Sequence, residues 1–426
     1  MIDVLPDDLV VQILMHIPIK DAVATMILSK RWRYIWTMLP KLKYKESDDV
    51  TEDECKSIWH FLDKSLQLHK APVLKKLHIE LGPRCPVDVD VGKWITNAVD
   101  RKVCKLTFQL KWAAKPIKLP KSLYTCSTLV SLVLCDKICV DIISPGSLPS
   151  LSYLCLLAVV FKDESSLVGL LSSCPILKGL KVVRCNEDNV TNFVVNVSSL
   201  ETLYYSNDYQ KDSSDSTGSL MIDSLTLKTI FIYDYSGDAF SIENRSCLDA
   251  ASIYVLGHPD YKTVRSFSSL RIFDIYLNIF TVGCCITNNF SRLIKCIILP
   301  YNLNWLEPLM ILVQNSPKLK VLVINGTYLT EDFPVSWNHP DSVPKCLLTH
   351  LEIFDWRGYR ARSEEKELVR YILANSSCLK VVAISMRSTC SFEDRERMMN
   401  DLKSMSRISE PILMQGGYIE QFTINP

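Results

Sequence analysis

The sequence predicts an α/β protein in which a short helical unit precedes a long stack of strand-and-return repeats that ends in a cap. Three observations predict it. The first forty residues hold three short helical stretches crowded with apolar side chains. A six-residue phrase, L-x-x-L-x-L, then recurs thirteen times between Leu74 and Leu379. The last eighty residues read as strand, loop, helix and strand.

Composition narrows the function classes. The chain has 426 residues, and its 48 basic and 47 acidic side chains leave a net charge of +1. No global field therefore recruits DNA, RNA or anionic lipid. Glycine is scarce at 13 residues, and no G-x-x-x-x-G-K-[ST], G-x-G-x-x-G or G-x-S-x-G occurs. The opening MIDVLPDDLV carries acids where a secretory signal carries bases, and no run of eighteen apolar residues follows. The sixteen cysteines include no C-x-x-C pair, and several, such as Cys135, Cys155 and Cys296, sit in apolar runs as small reduced hydrophobes. His60, His69 and His78 stand nine apart, which is neither one helical face nor metal-ligand spacing, and read as surface or linker histidines. The expectation is an intracellular protein, in cytoplasm and/or nucleus, with no cofactor, membrane or nucleic acid.

The helical unit begins with LPDDLVVQILMHIP, residues 5 to 18. Pro6 suits a first turn, Asp7 and Asp8 complement the helix dipole, and Leu9, Ile13 and Ile17 share a face with Val10 and Leu14 beside it. A second helix fits Asp21 to Leu28. In LSKRWRYIW, residues 28 to 36, aromatics alternate with bases as on a nucleic-acid surface. Leu28, Trp32, Ile35, Trp36 and Leu39 nevertheless form one helical stripe, with Ser29 as its cap and Pro40 as its stop, so packing is the favoured reading. A unit of roughly forty residues cannot bury this much apolar surface alone, which implies a partner.

LPDDLVVQILMHIPIKDAVATMILSKRWRYIW resembles the F-box, in the form common in plants, through its L-P-D-D-L-x-x-x-I-L opening and S-K-R-W-R close. The resemblance implies docking to a Skp-type adaptor and through it to a cullin-RING ligase. By motif position Leu5, Pro6, Leu9, Ile13 and Leu14 would contact the adaptor, while Leu28, Trp32 and Trp36 would complete the packed unit.

The recurring phrase starts clearly at Leu74, Leu129, Leu151, Leu177 and Leu319, and more loosely at Val103, Leu200, Leu227, Ala250, Leu270, Leu293, Leu348 and Leu379. Spacings of 20 to 31 residues are the signature of leucine-rich repeats, whose stacked units share a core that none could bury alone. The third, fifth and seventh positions of each phrase face the concave side. Only Lys76, Lys105, Lys181 and Lys295 supply bases there, so no inositol phosphate or similar anion is expected. The middle repeats place Tyr204, Phe231, Tyr233, Tyr254 and Tyr276 on that side as a candidate target-binding stripe. The alternative is that a loop such as 206 to 219 folds over the stripe and buries it.

Residues 342 to 385 resemble the FBD domain found at the C-terminus of many plant F-box and leucine-rich-repeat proteins, through C-L-x-x-L-E-I-F-x-W-x-G-Y, E-x-E-x-V-x-Y-I-L-x-N and C-L-K. Glu364 to Asn375 fits an amphipathic helix capped by Ser363, and DWRGYR is read as a loop capping the array. The ending EPILMQGGYIEQFTINP lacks the usual final apolar strand phrase. The expected domains are an F-box at 1–41, a linker and lead-in to the repeats at 42–70, leucine-rich repeats at 71–340, an FBD domain at 341–412 and a tail at 413–426. The fold expected is α/β, a three-helix F-box followed by an irregular leucine-rich-repeat solenoid capped by the FBD domain. The function expected is a non-catalytic substrate receptor of a ubiquitin ligase complex, capturing an unknown target protein for ubiquitination. An adaptor-bound protein without a degradation target, or an enzyme on a repeat scaffold, are the alternatives.

Overall fold

A computed structural model describes residues 5–46, 52–82, 89–111, 115–142, 146–208, 218–243, 248–256, 261–277, 288–300, 305–327, 340–387, 391–409 and 412–415. The chain divides into two compact units, Met1–Thr226 and Leu227–Pro426.

The first unit opens with helices α1 (Asp7–Leu14), α2 (Ile19–Ala24) and α3 (Trp32–Ile35), with 3-10 turns at Thr25–Ile27 and Trp36–Met38. Pro6 and Pro18 stand just before α1 and α2, where a missing N–H costs nothing, and the Pro6 carbonyl accepts from Leu9 and Val10 at 3.1 and 3.2 Å. The tryptophan helix starts at Trp32, later than a Ser29 cap implies. Arg31 takes the cap position, and its guanidinium is occupied by the Asp7 carboxylate and the Leu5 carbonyl. Trp32, Ile35, Trp36 and Leu39 are buried as their spacing predicts, and Leu28 is not. It ends the Thr25–Ile27 turn outside any α-helix, so helical spacing to Trp32 does not apply to it and it is 63% exposed.

Seven parallel strands follow: Lys41–Lys45, Lys76–Leu81, Lys105–Leu110, Ser131–Asp136, Tyr153–Leu157, Gly179–Val183 and Thr202–Asn207. Each pairs with the next, and the register keeps the leucines aligned: Leu42, Leu77, Leu106, Leu132, Leu154, Leu180 and Leu203 stand side by side. Tyr44, Ile79, Phe108, Leu134, Leu156, Val182 and Tyr205 form the second buried row. The polar turns between repeats have a definite use. Thr128, Ser150 and Ser199 each donate a side-chain hydrogen bond to a carbonyl of the preceding repeat, at 3.0, 2.7 and 2.9 Å. Carbonyls that the strand ladder leaves open are thereby satisfied. Helices Glu52–Leu68, Gly92–Asp100 and Glu164–Ser172 fill return segments, the last capped by Asp163 accepting from the Ser166 N–H at 2.8 Å.

The second unit repeats the plan with eight parallel strands: Thr229–Asp234, Ala250–Val255, Ile272–Leu277, Lys295–Pro300, Val321–Asn325, Ile353–Tyr359, Val381–Met386 and Ile412–Gln415. Two phrases differ in register from the sequence expectation. The phrase read from Ala250 begins at buried Leu248, with Ala251 and Ile253 as its inward positions; alanine in a leucine slot hid it. The phrase read from Leu348 begins at Leu351, followed inward by Phe354 and Trp356, because Lys345–Thr349 is a helical turn that exposes Leu348.

DWRGY is likewise the end of a strand and not a loop. Gly358 sits at φ +76° where the ladder register shifts between Arg357 and Tyr359, and an added Cβ would lie 2.8 Å from the Thr327 nitrogen. Helix Ser363–Asn375 buries Leu368, Val369, Ile372 and Leu373. Its N-terminus is capped without Ser363, whose hydroxyl bonds Glu364; the buried Glu365 carboxylate accepts the Arg360 N–H at 2.8 Å instead. Helix Phe392–Ser404 is capped by Ser391, and its Asp401 meets Lys366 at 2.7 Å. The expectation that the ending lacks a final strand is corrected by Ile412–Gln415, which pairs in parallel with Val381–Met386. The loop expected at 206 to 219 falls largely outside the described residues.

Candidate adaptor and target surfaces

Helix α1 has two faces of opposite fate. Val10 and Leu14 pack inward against α3 and the turn after it, while Leu9 and Ile13, one turn apart, are 45% and 50% exposed. Ile17 before α2, and Met26, Ile27 and Leu28 in the turn after it, are exposed as well. Leu14, grouped by motif position with the contact residues, is 2% exposed and serves the inner face. Leu5 is half-buried and Pro6 exposed at the head of the helix. The ion pair of Asp7 with Arg31, at 2.6 Å, fastens the start of α1 to α3.

The helical unit is joined to the sheet by buried polar contacts that spacing alone did not reveal. Lys70 and Ala71 N–H both donate to the Thr37 carbonyl, and His69 bonds the Leu39 carbonyl at 2.8 Å. His69 is therefore a buried bridging residue and not a surface or linker histidine; burial, reinforced by the nearby Arg101 cation, lowers its pKa to about 4.

Of the aromatic candidates, Tyr204 lies in the first unit and the others in the second. Tyr204 is half-buried with the Lys181 ammonium 4.7 Å above its ring. In the second unit Tyr233 stacks on Tyr254 with centroids 4.7 Å apart and planes 6° from parallel, and Tyr276 meets Tyr254 edge-on at 5.4 Å. Phe231 is half-buried one alternate position before Tyr233. Tyr254 is itself buried and hydrogen-bonds Asp274, whose other carboxylate oxygen is buried without a hydrogen-bond partner among the described residues. The two-residue register difference at Leu248 leaves Tyr254 on the same face, since side chains alternate with period two.

The basic inventory of the exposed face is larger than the sequence reading held. The strand Lys41–Lys45 adds Lys41, Lys43 and Lys45, and the corrected phrase from Leu351 adds Arg357, whose Nε pairs with Asp355 at 2.9 Å. Lys41, Lys76 and Lys105 are direct neighbours across three strands. Burial pushes the thiols of Cys135, Cys174 and Cys346 up to about 12, so little thiolate exists there at neutral pH. Among the described residues no group of three or more histidine, cysteine or carboxylate side chains is placed to hold a metal ion. Among the same residues no helix is long and apolar enough to cross a membrane.

A curated Arabidopsis thaliana protein, the putative F-box/FBD/LRR-repeat protein At1g22000, is 50% identical to this chain over 424 residues, covering 95% of this chain and 89% of its own length. The chain belongs to the F-box/FBD/LRR-repeat family. The putative FBD-associated F-box protein At1g05080 of the same plant is 47% identical, with 96% of this chain and 95% of that protein covered. Family models match in the same order as the elements above: the F-box domain at residues 2–44, the LRR repeats of FBD-associated F-box protein At5g56370 at 91–280, and FBD at 339–384. For this F-box/FBD/LRR-repeat chain, the first match indicates a role in binding a ubiquitin-ligase adaptor, and it spans both the exposed Leu9 and Ile13 and the buried tryptophans.

Proposed function

We propose that the chain is the substrate-recognition subunit of a Skp–cullin–F-box ubiquitin ligase, non-catalytic in itself, and that its repeats capture a target protein. In this reading α1 to α3 form the F-box, the strands from Lys76 onward form the repeat array, and the FBD segment caps it. Leu5, Pro6, Leu9 and Ile13 meet a Skp-type adaptor, joined by Leu28; Leu14, Trp32 and Trp36 hold the unit together.

One observation carries the adaptor reading. Leu9 and Ile13 expose about half their surface on a helix whose opposite face is packed, and Ile17, Met26, Ile27 and Leu28 of the same small unit are exposed too. So many large apolar side chains left in the open on one small folded unit mark a protein interface. Tyr204 in the first unit and Phe231, Tyr233 and Tyr276 in the second are the proposed target contacts, the last two braced by buried Tyr254, because these large side chains stand where the leucine rows do not need them.

The test is reconstitution. The purified chain is expected to form a stoichiometric complex with a recombinant plant Skp-type adaptor and, with cullin and RING subunits added, to direct ubiquitin onto a bound protein. The chain alone is expected to transfer none. Failure to bind any member of an adaptor panel would overturn the reading.

A further inference from the structure

Three adjacent strands of the first unit, KLKYK, KLHIEL and KLTFQL, turn Lys41, Lys43, Lys45, Lys76, His78 and Lys105 outward while their apolar partners are buried. Their register sets like charges directly opposite one another, Lys41 beside Lys76 and Lys76 beside Lys105, and puts the His78 imidazole beside Lys43. Neighbouring strands are about 4.8 Å apart, and cross-strand like charges destabilise a sheet.

Glu80 is the one carboxylate within these three strands, and it is already engaged by Lys45 at 3.5 Å, Lys111 at 3.3 Å and His78 at 3.7 Å. Lys41, Lys43, Lys76 and Lys105 are exposed and make no ion pair among the described residues. Burial first, and then the adjacent Lys43, hold His78 below its usual pKa. In a chain of net charge +1, this is a concentrated local field.

We propose that this lysine face binds an extended acidic peptide segment of a partner protein, with carboxylates at alternate residues seated against Lys41, Lys43, Lys76 and Lys105. An extended peptide presents every second side chain on one side at roughly 6.6 Å spacing, which matches Lys41 to Lys43 along the strand. The three strands turn no arginine outward to grip phosphate with two parallel hydrogen bonds, and their one outward ring, His78, is half-buried against Glu80 and so presents little face on which a nucleic-acid base could stack. The chemistry therefore favours carboxylates over a nucleic-acid backbone. The proposal rests on the receptor reading only for its biological role. Peptide binding is measured without adaptor or ligase, so the two can fail separately.

The probe is a fluorescein-labelled peptide of alternating Glu and Ser, about twelve residues long so as to span the patch, titrated with the full chain by fluorescence anisotropy. Binding is expected, weakening steeply with salt. The Lys41→Glu/Lys76→Glu/Lys105→Glu variant is expected to lose at least about tenfold in affinity while melting no lower than the parent. Lys41→Gln/Lys76→Gln/Lys105→Gln should show a smaller loss, and Lys121→Glu, a charge reversal elsewhere, none. Undiminished affinity in both triple variants would overturn the proposal, as would a single-stranded oligonucleotide of matched charge binding as tightly as the peptide.

Discussion

Arg101 donates a hydrogen bond to Nδ1 of His69 at 2.7 Å, and so fixes which nitrogen of that imidazole carries the proton. A guanidinium can only donate, so Nδ1 accepts and Nε2–H donates to the Leu39 carbonyl. Protonation of His69 would set two donors against each other at the joint between the helical unit and the sheet.

Acid is therefore expected to loosen this joint. The pKa of His69 falls to about 4 in the folded chain from an ordinary 6.5. The unfolded chain takes up the proton first, so the stabilisation is complete above pH 6.5 and is lost as pH falls toward 4, by up to roughly 1.4 kcal/mol per pH unit. Melting temperature measured across this range should fall in the parent and fall less in His69→Gln. Parallel curves would refute the assignment of the slope to His69.

The two faces of α1 are expected to respond differently to substitution. Leu9→Asp with Ile13→Asp should leave the melting temperature nearly unchanged and weaken adaptor binding by about 2–4 kcal/mol, since each charge enters an apolar seam unpaired. Leu14→Ala should instead cost about 2–5 kcal/mol of stability by opening a cavity. Leu28→Asp should follow the first pattern. If Leu28→Asp lowers the melting temperature as Leu14→Ala does, its exposed position is wrong. Calorimetric titration and thermal melts read both quantities.

Two glycines in the left-handed region separate backbone strain from crowding. Gly237 at φ +80° has nothing within 4 Å of an added Cβ, so Gly237→Ala is expected to cost only about 1 kcal/mol. At Gly358 the same change drives a methyl into the Thr327 and Gly326 backbone, and an additional 1–3 kcal/mol is expected. Equal losses in urea melts would show that the strand end relaxes freely.

The aromatic face of the second unit carries an opposite pH dependence. Burial raises Asp274 to about 6, opposed by the hydrogen bond from Tyr254 and by Lys295. A carboxyl whose pKa is raised on folding stabilises most below its ordinary 3.8, and that stabilisation is lost as pH rises through about 6. Asp274→Asn should therefore raise stability at pH 7 by roughly 1–3 kcal/mol and flatten this slope. Tyr254→Ala should cost stability, whereas Tyr204→Ala with Phe231→Ala should spare it and diminish target capture. Capture can be scored by crosslinking mass spectrometry on adaptor-bound complexes. Intact capture by the Tyr204→Ala/Phe231→Ala variant would remove these residues from the target surface.

Much of the fold was legible because the leucine rows are nearly literal. Leu77, Leu106, Leu132, Leu154, Leu180 and Leu203 stand in register across six strands, and a spaced leucine phrase is what such a row looks like in sequence. Legibility failed where another side chain filled a leucine slot. Ala251 hid the phrase at Leu248, and Tyr44 hid the first strand behind a proline and three lysines. That omission also concealed half of the lysine face. At the helical unit, helical spacing put Leu9 and Ile13 on one face, and both are exposed there. Motif position could not tell Leu14 from them, because the sequence does not say which side of an all-round apolar helix the tryptophans take.

Only Leu39 and Pro40 separate the last helical turn, Trp36–Met38, from the first strand, Lys41–Lys45, and both ends of that junction are bonded into the same packed unit. A docking module on a slack tether would sweep a volume, and anything held by the repeats would meet a ligase at an effective concentration set by linker length. Here there is no slack to sweep. In the proposed receptor, the reach from an adaptor to a protein held on the first unit's strands is then a matter of angle, so residues inserted between Met38 and Lys41 should alter which of its lysines are modified long before they alter how tightly it is held.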